Sequence, residues 1–176
     1  MHPAQQAEGE LLADCVVRYD RRSGPGGQHR NKVETAVIIT HRPSGIVAEA
    51  NERRSQSANR AVALQRLRLL LALRVRSHSP EYDAVHASEP LPTSPSERWV
   101  SRTKNQRLSV SIDHPDFPAL LAELLDYLVL CECDLASCAV HFAVTPSQLV
   151  KLLRAHPAAL QVANQLRAEF KLKPLK

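Results

Sequence analysis

A short glycine-rich segment carries the residues best suited to chemistry. It runs Ser23–Gln28, with the sequence SGPGGQ, and holds three of the chain's five glycines. Glycine reaches positive φ angles and lets a foreign backbone or ribose approach without a Cβ in the way, so this segment suits close contact with another molecule. A phosphate cradle is one interpretation, but the glycines follow neither the Walker spacing nor the dinucleotide-binding spacing.

Positive charge surrounds this segment. Residues 1–78 hold 13 Lys and Arg against 7 Asp and Glu, whereas residues 79–176 hold 10 against 11. Arginine dominates the first set, and its guanidinium binds two phosphate oxygens at once. The sequence therefore favours a polyanion as partner of the N-terminal half, with an ordinary solvated basic surface as the alternative. The bases nearest the segment are Arg18, Arg21, Arg22, Arg30 and Lys32.

Short apolar patterns predict the elements that position the segment. Apolar residues three or four apart predict a long helix over Ser57–Arg76, with Ser55 or Ser57 available as its N-cap. Runs of β-branched and aromatic residues predict three strands, at Asp14–Asp20, Ala36–His41 and Gly45–Ala50. The glycine-rich segment then connects the first strand to the second.

The C-terminal half predicts a separate helical domain. Residues 77–97 are rich in proline and serine, which predicts a linker because proline removes backbone donors and stiffens the chain. Beyond it, apolar periodicity predicts four helices: one after Asp116, one from Asp134 to Phe142, one opened by a capping box at Thr145, and one over Ala158–Phe170. Two short helices around a tight turn indicate a helix-turn-helix, and an ordinary small helical bundle is the alternative.

Within this half, Lys151 and Arg154 occupy the polar face of the third predicted helix and are candidates to contact RNA phosphates. Trp99 follows the linker among several bases and is a candidate to stack on a nucleic-acid base. Both features favour a domain that anchors the protein to RNA.

Other kinds of site are not expected. Cys131, Cys133, Cys138 and His141 lack the spacing of a zinc knuckle, which favours buried free thiols and predicts no metal and no cofactor. No apolar run approaches the roughly 20 residues of a membrane span. The N-terminus lacks the features of a secretory signal, so a cytoplasmic protein is expected.

The glycine-rich segment and its surroundings resemble a known family. The stretch Ser23–Val37, SGPGGQHRNKVETAV, resembles the GGQ signature of class I peptide chain release factors. The likeness continues without a detectable gap through His41–Ile46, Arg54–Gln56 and Asn59–Arg60, and it ends near Leu73. Ordered motifs over such a length make a chance clustering of glycines a poor explanation.

The resemblance implies a β-α-β-β-α catalytic domain that enters the peptidyl transferase centre of the ribosome and promotes hydrolysis of the ester between peptide and tRNA. In the family the glutamine backbone N–H stabilises the oxyanion, a role that falls here to Gln28, while Gly26 and Gly27 shape the backbone. The expected RNA contacts are Arg21, Arg22, Arg30, Lys32, Arg53, Arg54, Gln56 and Arg60, together with Lys151 and Arg154.

We therefore expect an α+β protein with a GGQ domain at residues 1–76, a linker at 77–97 and a helix-turn-helix-like domain at 98–176. It resembles a short release-factor-like protein that lacks a codon-recognition domain, which implies codon-independent release on stalled ribosomes. The expected partners of this monomer are rRNA, peptidyl-tRNA and a methyltransferase that modifies Gln28. The alternative is a non-catalytic RNA-binding, DNA-binding or regulatory module built on the helix-turn-helix.

Overall fold

The computed structural model describes residues 1–21, 34–77 and 93–176. In these ranges a 3₁₀ turn at Pro3–Gln5 is followed by α1 (Glu8–Ala13), β1 (Cys15–Asp20), β2 (Ala36–His41), β3 (Val47–Ala50), α2 (Gln56–Arg74), α3 (Glu97–Arg102), β4 (Thr103–Lys104), β5 (Arg107–Leu108), α4 (Phe117–Leu130), α5 (Leu135–His141), α6 (Pro146–Arg154) and α7 (Pro157–Glu169). The protein is α+β, as predicted. None of the described helices has the length and apolar character that crossing a membrane requires.

Contacts within the described residues divide the chain into two units. The first comprises residues 1 and 3–71, and the second comprises residues 2 and 72–176. The division falls inside α2, upstream of the linker predicted at 77–97. Most of that linker, residues 78–92, lies outside the described residues.

The first unit is built on an antiparallel sheet in the order β1-β2-β3. Central strand β2 pairs with β1 from Cys15↔His41 to Asp20↔Ala36 and with β3 over Val37–Thr40. Val37 and Ile39 are fully buried, as are Leu67 and Leu71 on one face of α2. The three predicted strands are confirmed, although β3 begins two residues later than expected. Residues 42–45 form the turn between β2 and β3, and Gly45 supplies its positive φ of 67°.

The second unit has its apolar core around α4. One broad face of α4 is fully buried, including Leu120, Leu124 and Leu128, which is the face that the sequence periodicity predicts. Trp99 of α3 is also fully buried, and its ring lies 4.0 Å from that of Phe142. The helices expected around Asp116–Leu128, Asp134–Phe142, Thr145 and Ala158–Phe170 are all present.

The turn between α5 and α6 is tight. It covers residues 142–145, and Ala143 takes a positive φ of 51° there, a conformation that glycine usually supplies. Asp134 caps α5 by accepting hydrogen bonds from the backbone N–H groups of Ala136 and Ser137. The capping box predicted at Thr145 is wrong, because the Thr145 side chain makes no cap hydrogen bond although α6 begins directly after it.

A small hairpin lies between α3 and α4 that the sequence patterns do not predict. Strands β4 and β5 pair Thr103 with Leu108 and Lys104 with Arg107. The two residues of the turn, Asn105 and Gln106, have φ angles of 49° and 59°. Positive φ at both positions is the type I′ arrangement, whose usual sequence signal is a glycine that this turn lacks.

Candidate functional site

The predicted catalytic residues Gly26, Gly27 and Gln28 lie in residues 22–33, outside the described part of the chain. The predicted RNA contacts Arg22, Arg30 and Lys32 lie in the same range. The structure does describe the residues that flank this segment on both sides, up to Arg21 and from Glu34 onwards.

The residues that flank the segment lie at the same end of the β1–β2 ladder. Asp20 at the end of β1 is directly paired with Ala36 at the start of β2. Just beyond this pair, Arg21 Nε lies 3.4 Å from Glu34 Oε1, with both side chains largely exposed. An exposed ion pair of this kind contributes little stability. The antiparallel ladder is what holds the two ends together.

Asn59 is a buried polar residue that contacts the backbone just before β2. Its side chain has no exposed surface. Its Nδ2 atom donates to the carbonyl oxygens of Thr35 at 2.6 Å and Arg53 at 2.9 Å, and its Oδ1 atom accepts from the Arg53 backbone N–H at 2.8 Å. One amide therefore joins α2, the turn before α2 and the residue that precedes β2.

Gln56 makes a second connection to the same place. Its Nε2 atom donates to the carbonyl oxygen of Glu34 at 2.8 Å. Ser55 caps α2 by accepting from the backbone N–H of Ala58 at 3.3 Å, which confirms one of the two expected caps. The first turn of α2 is thus attached to the end of the 22–33 segment. In this structure the Gln56 side chain positions the backbone of Glu34.

The predicted RNA-binding arginines differ in what they contact. Arg53 and Arg54 are exposed in the turn before α2, and among the described residues no carboxylate lies within ion-pair distance of either. Arg60 instead pairs with Glu8 of α1 at 2.9 Å. Since Asn59 ties the turn to Thr35, Arg53 and Arg54 lie beside the end of the 22–33 segment.

A third arginine near this turn, Arg66, is engaged within the protein instead. Arg66 contacts Glu52 at 2.6 Å and also donates to the carbonyl oxygen of Glu49. Hydrogen bonds from the backbone N–H groups of Glu52 and Asn51, together with Arg66, hold the pKa of the Glu52 carboxyl below its usual value. Glu52 therefore stays ionised and is matched by Arg66, so that, among the described residues, no carboxylate offsets the charge of Arg53 and Arg54.

The remaining predicted RNA contacts, Lys151 and Arg154, lie on α6 in the second unit and are exposed. The suggestion that Trp99 stacks on a nucleic-acid base is wrong. Trp99 is fully buried, and its indole N–H donates to the carbonyl oxygen of Phe142 at 3.1 Å. Its aromatic ring belongs to the core of the second unit.

Cysteines of the second unit form a thiol pair. The Sγ atoms of Cys131 and Cys138 lie 2.7 Å apart, and the hydrogen bond from Cys138 lowers the pKa of Cys131. Burial raises the pKa of the nearby Cys133 to about 11. Within the described ranges no group of three or more His, Cys, Asp and Glu residues could hold a metal ion.

Sequence reasoning did not assign roles to Asn59 and Glu34, although both frame the candidate site. Asn59 appears in the motif that resembles release factors, but nothing in its local pattern shows that its partners are Thr35 and Arg53. A polar residue at the start of a mostly apolar helix face is the one available signal.

Comparison with known sequences decides the family. The sequence model of the RF-1 domain matches residues 12–112, more than half of the chain. The chain belongs to the RF-1 domain family. The match includes the sheet, both ends of the 22–33 segment, α2 and the hairpin of the second unit. It confirms the resemblance to release factors that the glycine-rich segment indicated.

Individual relatives give the same result. The chain is 46% identical over 83 residues to peptide chain release factor 1 of Leptothrix cholodnii, which is 46% of this chain and 23% of the relative. It is 45% identical over 73 residues to that of Xylella fastidiosa, covering 42% of this chain and 20% of the relative. For that of Granulibacter bethesdensis the identity is 45% over 84 residues, covering 48% and 21%. The chain thus spans about a fifth of the length of these relatives.

Proposed function

We propose that this protein promotes hydrolysis of peptidyl-tRNA on stalled ribosomes without reading a codon. Membership in the RF-1 domain family supports a role related to translation termination. The observation that carries the proposal is the GGQ sequence at Gly26–Gln28 on a segment whose two ends are held together by the β1–β2 ladder. The proposed protein is a cytoplasmic monomer that acts with the ribosome and needs no cofactor.

The chemistry requires few side chains. Water attacks the ester carbonyl, the bond to the tRNA 3′ oxygen breaks, and the products are a free peptide carboxylic acid and a tRNA with its 3′ hydroxyl. The backbone N–H of Gln28 would donate to the oxyanion that forms, and such a donor contributes about 3–4 kcal/mol to catalysis. Gly26 and Gly27 would let the backbone approach the tRNA end closely. A methyltransferase acting on the Gln28 side-chain amide belongs to the same proposal.

Exposed arginines beside the segment would bind RNA phosphates. Arg53 and Arg54 lie next to its second end, and Arg21 lies at its first end. Gln56 would act through its hydrogen bond to Glu34 as well as by contact with RNA. The full proposed set for this unit is Arg21, Arg22, Arg30, Lys32, Arg53, Arg54, Gln56 and Arg60, and the second unit adds Lys151 and Arg154.

The proposed arrangement is a β-α-β-β-α catalytic domain over residues 1–76, a linker over 77–97 and a helix-turn-helix-like domain over 98–176. Strands β1 to β3 and helix α2 fit this order, and residues 22–33, between β1 and β2, lie outside the described part of the chain. In the second unit, α5 and α6 flank a four-residue turn with Ala143 at positive φ, which fits a helix-turn-helix.

The test compares two substitutions at Gln28 in the full-length protein. Gln28→Pro removes the backbone donor, whereas Gln28→Ala keeps it and serves as the matched control. With ribosomes that carry labelled peptidyl-tRNA and no stop codon, we expect Gln28→Pro to slow peptide release on the order of 10²-fold or more. Gln28→Ala should weaken release much less. Full release activity in both variants would exclude the hydrolytic function.

A second candidate function is supported by the C-terminal unit alone. The tight turn between α5 and α6 and the exposed bases Lys151 and Arg154 also suit a non-catalytic nucleic-acid-binding or regulatory module. Nucleic-acid binding without any peptide release from the wild-type protein would favour this candidate.

A further inference from the structure

The cations of the second unit divide into two groups by their contacts. Several are engaged within the protein. Arg76 pairs with Asp126 at 3.2 Å, and Arg102 pairs with Asp116 at 2.8 Å. Arg167 donates to the carbonyl oxygens of Cys133 and Lys173, both at 2.9 Å. These contacts within the protein stabilise the fold and already offset the charge of Arg76 and Arg102.

A second group has no such partner. In the described part of the chain, no carboxylate lies within ion-pair distance of Lys104, Arg107, Lys151 or Arg154, and all four side chains are exposed. Lys104 and Arg107 are directly paired across the hairpin, while Lys151 and Arg154 lie one helical turn apart on α6. Their positive charge is therefore directed to solvent.

A groove connects the hairpin to α6. It has a volume of about 460 Å³ and lies between α6 and residues 108–111, which begin with the last residue of β5. Lys151 and Gln148 line it on the helix side, and Ser109 and Ser111 line it on the other. The lining thus combines Lys151 and neutral hydroxyl and amide groups with His114 and with Arg102, which is paired with Asp116.

We propose that the hairpin tip, the groove and α6 form one surface that binds the sugar-phosphate backbone of an RNA double helix. Lys104, Arg107, Lys151 and Arg154 bind phosphates. Ser109, Ser111 and Gln148 are placed to hydrogen-bond 2′-hydroxyl groups, the contacts by which proteins read the shallow groove of double-stranded RNA. The choice of RNA rests on the proposed ribosomal function.

The lining favours a duplex over a single strand. Proteins that bind single strands stack successive bases on aromatic side chains. No Phe, Tyr or Trp is among the described residues that line the groove, and Trp99 lies in the core. In helix-turn-helix proteins the helix that follows the tight turn docks against a DNA double helix, and α6, with Lys151 and Arg154 exposed, occupies the corresponding position.

The test measures binding of the full-length protein to a fluorescent RNA duplex over a series of salt concentrations. A DNA duplex and a single-stranded RNA of the same sequence serve as comparison probes. Two double variants remove charge from the surface, Lys104→Gln with Arg107→Gln and Lys151→Gln with Arg154→Gln. The matched control, Lys173→Gln with Lys176→Gln, removes the same charge from the last residues, where Leu175 is held to Asn164.

We expect the wild-type protein to bind the RNA duplex more tightly than either comparison probe. Each lost phosphate contact should reduce the slope of log affinity against log salt by about 0.9, so each surface double variant should lose nearly two units of slope. The control should lose less than half of that. Circular dichroism verifies that all variants are folded.

Three results would overturn the inference: equal losses in the control and surface variants, unchanged binding in both surface variants, or tighter binding of DNA or single-stranded RNA. The Gln28→Pro variant keeps this test separate from the test of release. It should bind the RNA duplex like the wild type while losing release. Intact release with no surface-dependent RNA binding would refute only the surface, and the reverse result would refute only the hydrolytic function.

Discussion

At the scale of single residues, the geometry beside the GGQ sequence depends on one buried amide. Asn59 makes three hydrogen bonds to backbone groups of Thr35 and Arg53, and none of its surface is exposed. Gln56 makes a single bond to the carbonyl oxygen of Glu34 from an exposed position. Both amides attach α2 to the end of the 22–33 segment, but only Asn59 would leave buried polar groups unpaired if it were removed.

Substitution of Asn59 should therefore destabilise the protein far more than substitution of Gln56. We expect Asn59→Leu to lower the free energy of unfolding by about 2–3 kcal/mol, because the carbonyl and N–H groups it serves lose their partners. The control Gln56→Leu should cost less than about 1 kcal/mol, since water can replace its single exposed bond. Urea denaturation followed by circular dichroism measures both. An Asn59→Leu protein as stable as the wild type would contradict the structural role.

At the scale of elements, the two helices that flank the tight turn in the second unit, α5 and α6, begin in different ways. Asp134 accepts from two backbone N–H groups of α5 and from the Ser137 hydroxyl at 2.6 Å. The hydroxyl and N–H of Ser137, together with the N–H of Ala136, lower the pKa of the Asp134 carboxyl. Thr145 occupies the corresponding position before α6 without a side-chain bond.

Removal of these two caps should have unequal effects. We expect Asp134→Ala to lower the Tm at pH 7 by a few degrees, because α5 loses its N-terminal acceptor. Thr145→Ala should change the Tm little. Because the folded pKa of Asp134 is lowered, its contribution is present above the ordinary carboxyl pKa and is lost in acid. Thermal unfolding at pH 7 and pH 3 measures this, and equal Tm losses at pH 7 would contradict the assignment of the caps.

Elements with a strong local signal were predictable, and those fixed by distant contacts were not. Strand β2 and the buried face of α4 follow from patterns that repeat within a few residues. The position of Trp99 does not, because its partner Phe142 is 43 residues away. The hairpin lacks the glycine that would mark its turn.

The candidate site shows the same division. The glycine-rich segment and its arginines are evident in the sequence, whereas the pairing of Arg60 with Glu8 joins residues 52 positions apart. Local patterns therefore identify which residues are basic near the segment. They do not show that, among the described residues, Arg60 pairs with a carboxylate whereas the side chains of Arg53 and Arg54 do not.

At the scale of the whole molecule, one helix holds both ends of the predicted linker. Asp126 of α4 accepts from the backbone N–H of Ser77 at 3.3 Å and pairs with Arg76, while Glu123 accepts from the N–H and hydroxyl of Ser96 at 2.7 and 2.6 Å. These two carboxylates lie three positions apart, on one turn of α4. Residues 77 and 96 thus both belong to the second unit.

Both units contain histidines whose pKa is lowered in the folded protein. Burial lowers the pKa of His41 in the first unit and of His141 in the second, where the imidazole of His141 stacks on Tyr127 at 3.8 Å. Burial also lowers the pKa of His2, whose Nε2 atom contacts the carbonyl oxygen of Val75 at 3.1 Å. These three histidines therefore bind protons at a higher pH in the unfolded chain than in the folded chain, and we expect their contribution to lower the free energy of unfolding as pH drops below about 6.5.

This acid sensitivity can be assigned to one unit, because Trp99 is the chain's only tryptophan and lies in the core of the second unit. We expect the urea midpoint reported by Trp99 fluorescence to fall between pH 7 and pH 5. His141→Gln should reduce that fall, since each unit by which a histidine pKa is lowered corresponds to about 1.4 kcal/mol. His41→Gln, in the other unit, serves as the matched control and should leave the Trp99 profile unchanged. A midpoint that rises towards pH 5, or one that responds equally to both substitutions, would contradict the assignment of this pH dependence to the half-buried imidazole of His141.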